Sequence, residues 1–222
     1  MNLILIGAQG SGKGTQAQRL MELLNLKPCA SGDLLRKAVA DGTPLGQAAR
    51  PYMDRGDLVP DDLIIAMILE DIAKMNGSKG IILDGFPRNV AQARALDERF
   101  AERRQAIDWA VYLDVPRAAL LDRLSGRYIC QADGHVYNLK TNPPRVDGRC
   151  DVDGSPLVQR GDDTPEKIAH RLDIFFTETI RLTDYYAVQG KLLRVDGMGS
   201  VDQVTRAILD GVNAAPFDRA VG

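Results

Sequence analysis

Long apolar runs are missing from this sequence, and their absence is the first constraint. No stretch approaches the ~20 consecutive apolar residues that span a bilayer, so no membrane segment is expected. The opening Met1-Asn2-Leu3-Ile4-Leu5-Ile6 lacks the basic head, long apolar core and cleavage site of a signal peptide. Cysteine is scarce as well. Three thiols in 222 residues do not make a disulfide framework, which points to a reducing, cytoplasmic setting. A charge excess is also lacking: 28 basic residues face 30 acidic ones, for a net charge of −2. A bulk nucleic-acid or membrane-surface binder would carry a basic surplus, so neither partner is expected; a local basic pocket for a small polyanion is still allowed. There is no internal repeat, low-complexity tract or sustained heptad, and the chain is read as a monomer.

What is present is ample apolar material, 45% of the chain, enough for one sizeable core with small inserted subdomains. Leu3 to Ile6 is a short apolar run ending in Gly7, the pattern of a strand buried on both faces. Similar runs end at Asp84 (Ile81-Ile82-Leu83) and at Asp114 (Ala110 to Leu113). Further strands are expected at Leu192 to Val195 and around Pro28 to Ala30. Helical spacing separates them, over Thr15–Leu26, Asp61–Met75, Asn89–Phe100, Pro116–Leu124, Thr164–Val188 and Ser200–Val212. Strands alternating with helices predict an α/β fold with a parallel sheet, whose ligands gather at the carboxyl ends of the strands.

Two segments break the rhythm. Ser31 to Val59 reads as short helices, with Thr43-Pro44 as cap and first helical position and Pro51 expected to kink or restart the second. Gly126 to Asp163 holds glycines, prolines, scattered aromatics and two cysteines without a helical period, which suits a small β-rich subdomain or lid.

The strongest chemical signal is Gly7-Ala8-Gln9-Gly10-Ser11-Gly12-Lys13-Gly14-Thr15, between the first strand and the first helix. Its glycines let successive backbone N–H groups curl around phosphate oxygens, and Lys13 brings a mobile positive charge to the β- and γ-phosphates. Gly14 stands where serine or threonine would ordinarily hold magnesium, and Thr15 follows, which marks a subclass. Leu83-Asp84-Gly85-Phe86-Pro87-Arg88 closes another buried strand; Asp84 there can hold the water shell of Mg²⁺, and Arg88 offers a forked phosphate donor. Ser31-Gly32-Asp33, with Arg36 one turn later, reads either as a second anion site or as a simple helix cap.

Taken in order, these motifs resemble those of adenylate kinases. The resemblance rests on the Gly-Lys-Gly-Thr loop, Ser31 to Arg36, Asp57-Leu58-Val59-Pro60-Asp61 and Asp84 to Arg88 with Gln92. It continues through Arg123 and Arg127, Arg160 to Asp163 and Arg171, and runs from residue 1 to about 200. It implies a five-stranded parallel sheet flanked by helices, as in P-loop NTPases. The core would comprise residues 1–30, 60–126 and 164–222, with a helical monophosphate-binding insertion at 31–59 and a lid at 127–163. It implies ATP + AMP = 2 ADP with Mg²⁺, and partners ATP, AMP and ADP. Gly10, Ser11, Gly12, Lys13, Gly14 and Thr15 would hold ATP phosphates. Arg123 would stack on the base, Gly199 would offer it backbone, and Arg127, Val136 and Tyr137 would lie over ATP. Ser31, Arg36, Asp57, Leu58, Val59, Gly85, Phe86, Pro87, Arg88 and Gln92 would form the AMP site. Arg160 and Arg171 would converge with Lys13, Arg88 and Arg127 on the reacting phosphates. UMP/CMP or GMP kinases and a non-catalytic ATP sensor are the alternatives; Gln92, an amide able to donate to and accept from adenine, and the lid length favour AMP.

Two positions depart from the family. Gln9 replaces a proline usual in the loop, which frees one φ angle, and Asp57 replaces a residue often basic. In the lid, Cys130 and Asp133 are three apart, as are Cys150 and Asp153. Some family lids bind zinc through cysteines, or cysteines and an aspartate, at this spacing; others hold a polar cluster together by hydrogen bonds. Here both readings stay open: a zinc site of Cys130, Asp133, Cys150 and Asp153, with His135 able to replace Asp133, or a metal-free cluster with two reduced thiols. A Cys130–Cys150 disulfide is a third option.

Overall fold

The computed structural model describes residues 1–74, 80–139, 142–159 and 164–214. β1 (Leu3–Ile6) leads through the glycine loop into α1 (Lys13–Leu24), then β2 (Lys27–Ala30), α2 (Ser31–Ala40), α3 (Pro44–Arg55) and α4 (Asp61–Lys74). There follow β3 (Ile81–Asp84), α5 (Val90–Glu102), β4 (Trp109–Asp114) and α6 (Arg117–Ser125). Three short strands come next, β5 (Arg127–Cys130), β6 (Val136–Asn138) and β7 (Leu157–Val158). The chain closes with α7 (Pro165–Ile174), a π-helical turn (Phe175–Thr179), α8 (Arg181–Ala187), β8 (Leu192–Asp196) and α9 (Val201–Asn213).

The main sheet has the order β2-β3-β1-β4-β8, with every pair parallel, as the apolar runs predicted. β1 is central, Leu3 lying opposite Ile82 on one side and Trp109 on the other. Its four residues are all buried. Alternation sends Ile4 and Ile6 into the larger core with Leu83, Tyr112, Leu172 and Phe175. Leu3 and Leu5 point the other way, packing with Leu20 of α1 and Val204 and Ile208 of α9. Burying each such aliphatic contributes ~1.5–3 kcal/mol, an upper bound against an extended chain. The loop after Ile6 therefore hangs on the best-anchored strand of the sheet, and the carboxyl ends of β1, β2 and β3 meet at one edge.

Two helices differ in detail from the expectation. α3 runs through Pro51 without restarting, although that proline lacks the N–H that would bond Gln47. Pro51 sits on the exposed side of a helix whose other face is pinned against α2: Ala49 is fully buried, and a Cβ on Gly46 would lie 2.0 Å from the Ala38 carbonyl oxygen. Packing outweighs one missing backbone bond. The helix expected over 164–188 is present but carries a π turn, closed by the Ile180 N–H donating to the Phe175 carbonyl at 2.9 Å. Thr177 donates its hydroxyl to the Asp173 carbonyl at 2.8 Å, competing for an acceptor the α-helix would use.

The region of glycines, prolines and cysteines does form strand structure, a separate antiparallel sheet in the order β6-β5-β7. Its small core holds Cys130, Tyr137 and Cys150. Among the described residues no helix is long and apolar enough to cross a membrane.

Candidate active site

α3, α5, α7 and α9 begin with side-chain caps: Thr43, Asn89, Thr164 and Ser200 each accept from a backbone N–H of the first turn. α1 does not. Its N-cap is Gly12, at φ 96°, with no side chain to offer. The orphan N–H groups of α1 and the positive end of its dipole are thus left for an external acceptor. The loop before it is tight, since a Cβ on Gly7 would fall 2.5 Å from Ser11 Oγ. That buried hydroxyl has no hydrogen-bond partner among the described residues. Lys13 Nζ curls back to donate to the Gly7 and Ala8 carbonyls at 2.6 and 2.9 Å. Burial lowers its pKa to about 8, opposed by the Asp84 carboxylate and reinforced by Arg88 and Arg127. A cation held at that cost favours an anionic ligand.

On the acceptor side α2 also starts without a side-chain cap, at the end of β2. Ser31 is buried and donates its hydroxyl to the Gly85 carbonyl at 2.7 Å. That bond ties α2 to the turn after β3, where Gly85 takes φ 79°. Arg36 pairs with Asp33 and lies over Gly32. Arg88 donates through Nε to the same Gly85 carbonyl at 2.8 Å, and burial lowers its pKa without discharging it. Gln92 is buried; its Oε1 accepts from the Arg88 backbone N–H and its Nε2 donates to Asp61, both at 2.7 Å. Phe86 of this turn and Val59 are both buried. Asp84 reaches toward the first turn of α1, its Oδ2 3.8 Å from where Gly14 would carry a Cβ. A carboxylate between the two helix starts fits the needs of Mg²⁺, which takes few protein ligands and keeps its waters.

The two sides face each other across one cleft, whose walls include Gln9, Lys13, Leu58, Pro87, Arg88 and Arg171. Arg127, at the start of β5, is close enough to depress the Lys13 pKa. Arg123 of α6 donates to the Gly197 carbonyl at 3.0 Å and the Gly10 carbonyl at 3.5 Å, joining the loop to the turn that carries Gly199. In β6 the Val136 side chain is exposed, whereas the Tyr137 ring is buried in the small sheet's own core. Arg160 lies outside the described residues. Gly56, Ile174, Phe175 and Thr179 also line the cleft and were not singled out from sequence. Gly56 carried a usable signal, a glycine closing a helix. The other three are ordinary residues at helical spacing and carried none.

In the three-stranded sheet the donor set is the second of the two expected, with His135 in place of Asp133. Cys130, His135, Cys150 and Asp153 bring one ligand atom each within 4.8 Å of one another. Asp133 is exposed and contributes only its backbone N–H, at 3.5 Å from Cys130 Sγ. The two glycine turns explain both facts. Gly134, at φ 72°, reverses the chain so that Cys130 N–H bonds the His135 carbonyl at 2.8 Å, which swings the imidazole inward. Gly154, at φ 73°, does the same for Cys150 and Ser155. Asp153 is held ionised by the Ser155 N–H, with Cys130 adding to the effect. Cys130 and Cys150 are free thiols. Two thiols, one imidazole and one carboxylate suit a tetrahedral zinc site.

A glycine loop at the end of a central parallel strand, an uncapped helix, an invading lysine and arginines across a shared cleft define a P-loop phosphotransferase. The family model described as "Adenylate kinase" matches residues 5–191. The chain is 48% identical over 208 residues to the adenylate kinase of Thermodesulfovibrio yellowstonii, covering 94% of this chain and 97% of that one. Identity to the enzyme of Syntrophobacter fumaroxidans is 48% over 204 residues, 92% and 96% of the two chains. For that of Staphylococcus epidermidis it is 42% over 210 residues, 95% and 98%. This chain belongs to the adenylate kinase family.

Proposed function

We propose that the chain transfers a phosphoryl group reversibly between ATP and AMP, giving two ADP, and so balances the adenine nucleotides. One observation carries this reading: Lys13 of the phosphate loop shares a cleft with Arg88 and Arg171, in a chain whose relatives are named adenylate kinase. The AMP phosphate is already an anionic nucleophile near neutral pH, so no general base is required. The protein's task is to align two phosphates and neutralise charge spread over the equatorial oxygens. The N–H groups of α1 and the Ser11 hydroxyl hold ATP phosphates. Lys13 exchanges two carbonyls for phosphate oxygens, which stabilise its charge better. Magnesium bound with ATP neutralises phosphate oxygens, and Asp84 is the carboxylate suited to its water shell.

Arg88, Arg127 and Arg171 supply further positive charge to the reacting phosphates, a role the family resemblance also gives to Arg160. Gln92 keeps one N–H and one lone pair for adenine after its two protein bonds. Ser31, Arg36 and the turns at 57–59 and 85–87 complete the AMP side. Arg123, Gly199, Val136 and the Tyr137 backbone frame the ATP base and ribose. On this reading residues 1–30, 60–126 and 164–222 form the core, 31–59 the AMP-binding insertion and 127–163 a lid that excludes water on closing. Cys130, His135, Cys150 and Asp153 would hold a structural zinc that ties the lid's two turns together. The protein works as a monomer in the cytoplasm.

A coupled ADP-formation assay with ATP, Mg²⁺ and each of AMP, UMP, CMP and GMP tests the proposal. AMP is expected to be the preferred acceptor. Faster transfer to another monophosphate would reassign the substrate, and no transfer to any would overturn the reaction. A mimic joining two adenosines through phosphates should slow hydrogen exchange over 127–159; unchanged exchange would remove the closing lid.

A further inference from the structure

Asp57 sits in the turn between α3 and α4, flanked by Gly56 and Leu58, both of which line the cleft. A carboxylate beside a pocket for an anion is repulsive unless its charge is absorbed. Here each oxygen has its own donor: Arg55 Nε lies 2.7 Å from Oδ2, and His170 Nε2 lies 2.7 Å from Oδ1. These bonds, Arg55 first and His170 second, lower the carboxyl's pKa. Arg55 belongs to the same stretch of chain, at the end of α3. His170 does not; it comes from α7, 113 residues away.

Its neighbour on α7 is Arg171, which lines the cleft. A Cβ on Gly56 would lie 3.3 Å from Arg171 Cγ and 3.8 Å from His170 Cδ2, so α7 rests directly on this turn. Two consecutive helix residues thus meet two consecutive turn residues, Arg171 against Gly56 and His170 against Asp57. Adjacent helical positions point about 100° apart. One therefore serves the cleft while the other grips the turn from outside it.

We propose that His170 is a positioning residue for the monophosphate: by bonding Asp57 it fixes the 56–59 turn against Arg171 and masks a negative charge at the pocket's rim. The proposal rests on the reading of residues 57–59 as part of the AMP site. The pair is partly exposed, His170 to 48% and Asp57 to 34% by side chain, so its effect is modest and specific to one substrate.

The test compares the unaltered chain with His170→Ala, His170→Gln, Asp57→Ala and the double alanine variant. KM for AMP, KM for ATP, kcat and melting are measured for each. His170→Ala should raise KM for AMP about two- to five-fold, the range open to a partly exposed pair, and leave KM for ATP and melting unchanged. His170→Gln, whose amide can also donate to the carboxylate, should recover most of the loss. In the Asp57→Ala background the histidine substitution should add nothing further. An unchanged KM for AMP, an equal rise for both nucleotides, or full additivity with Asp57→Ala would overturn the assignment. Failure of the unaltered chain to make ADP from AMP would overturn the AMP reading itself, and with it this inference, before any substitution is compared.

Discussion

Replacing Lys13 with methionine should separate catalysis from folding. With its pKa lowered from 10.5 to about 8, the buried ammonium costs the nucleotide-free fold about 3 kcal/mol at neutral pH. Its bonds to the Gly7 and Ala8 carbonyls offset about 1 kcal/mol each. Methionine has similar length and no charge, so both contributions vanish. The net change in stability at pH 7 should stay within about 2 kcal/mol and lean toward a firmer fold. The folded pKa lies below the unfolded one, so the ammonium's cost is fully present below about pH 8 and disappears as pH rises to 10.5. Stability of the unaltered chain should therefore rise across that window relative to Lys13→Met. Turnover should fall by about 10²–10³-fold, the usual loss when one stabiliser of transition-state charge is removed. Urea unfolding at pH 7 and pH 10, with initial ADP formation, measures all three quantities. Turnover within ten-fold of the original in a folded variant, or a stability difference that ignores pH, would refute the reasoning.

Arg88→Ala should lower kcat by about 10²-fold with little change in melting; equal turnover would remove Arg88 from the reacting phosphates. Gly46→Ala should destabilise the fold by about 1–3 kcal/mol or more, because its Cβ would meet the Ala38 carbonyl oxygen at 2.0 Å and push α3 off α2; thermal melting checks this. Protein purified without chelator should carry about one zinc per chain, retained in Asp133→Ala and lost in His135→Ala and Cys150→Ala. Elemental analysis finding no metal in the unaltered chain, with melting indifferent to chelator, would favour a hydrogen-bonded lid. Removing the Ser31 hydroxyl (Ser31→Ala) leaves the Gly85 carbonyl one donor short and should cost about 1 kcal/mol, with a higher KM for AMP.

Local chemistry made much of this molecule legible in one dimension. The run Leu3 to Ile6 followed by glycines, and apolar stretches ending at Asp84 and Asp114, specify buried parallel strands because both faces of such strands must be apolar. The phosphate loop is contiguous, so its lysine and glycines were visible together. So were Ser31 with Arg36 and Asp84 with Arg88. Each of these groups lies within one turn or one helix start, where spacing alone sets the geometry.

What lay beyond the sequence depended on contacts between distant segments. Pro51 stays helical because α2 holds the opposite face of α3, a contact no propensity contains. The π turn lies inside an otherwise regular pattern, where a threonine hydroxyl also bonds the Asp173 carbonyl. Cys-x-x-Asp spacing left Asp133 and His135 both open as ligands, and the backbone reversal at Gly134 is what turns His135 inward. Gln92 was read as a base contact, and only the folded chain shows that its amide also holds Arg88 and Asp61. Asp57 and His170 are 113 residues apart and carry no shared motif. A sequence determines short-range geometry through backbone and side-chain preferences, whereas bonds between remote elements exist only once the core has brought those elements together.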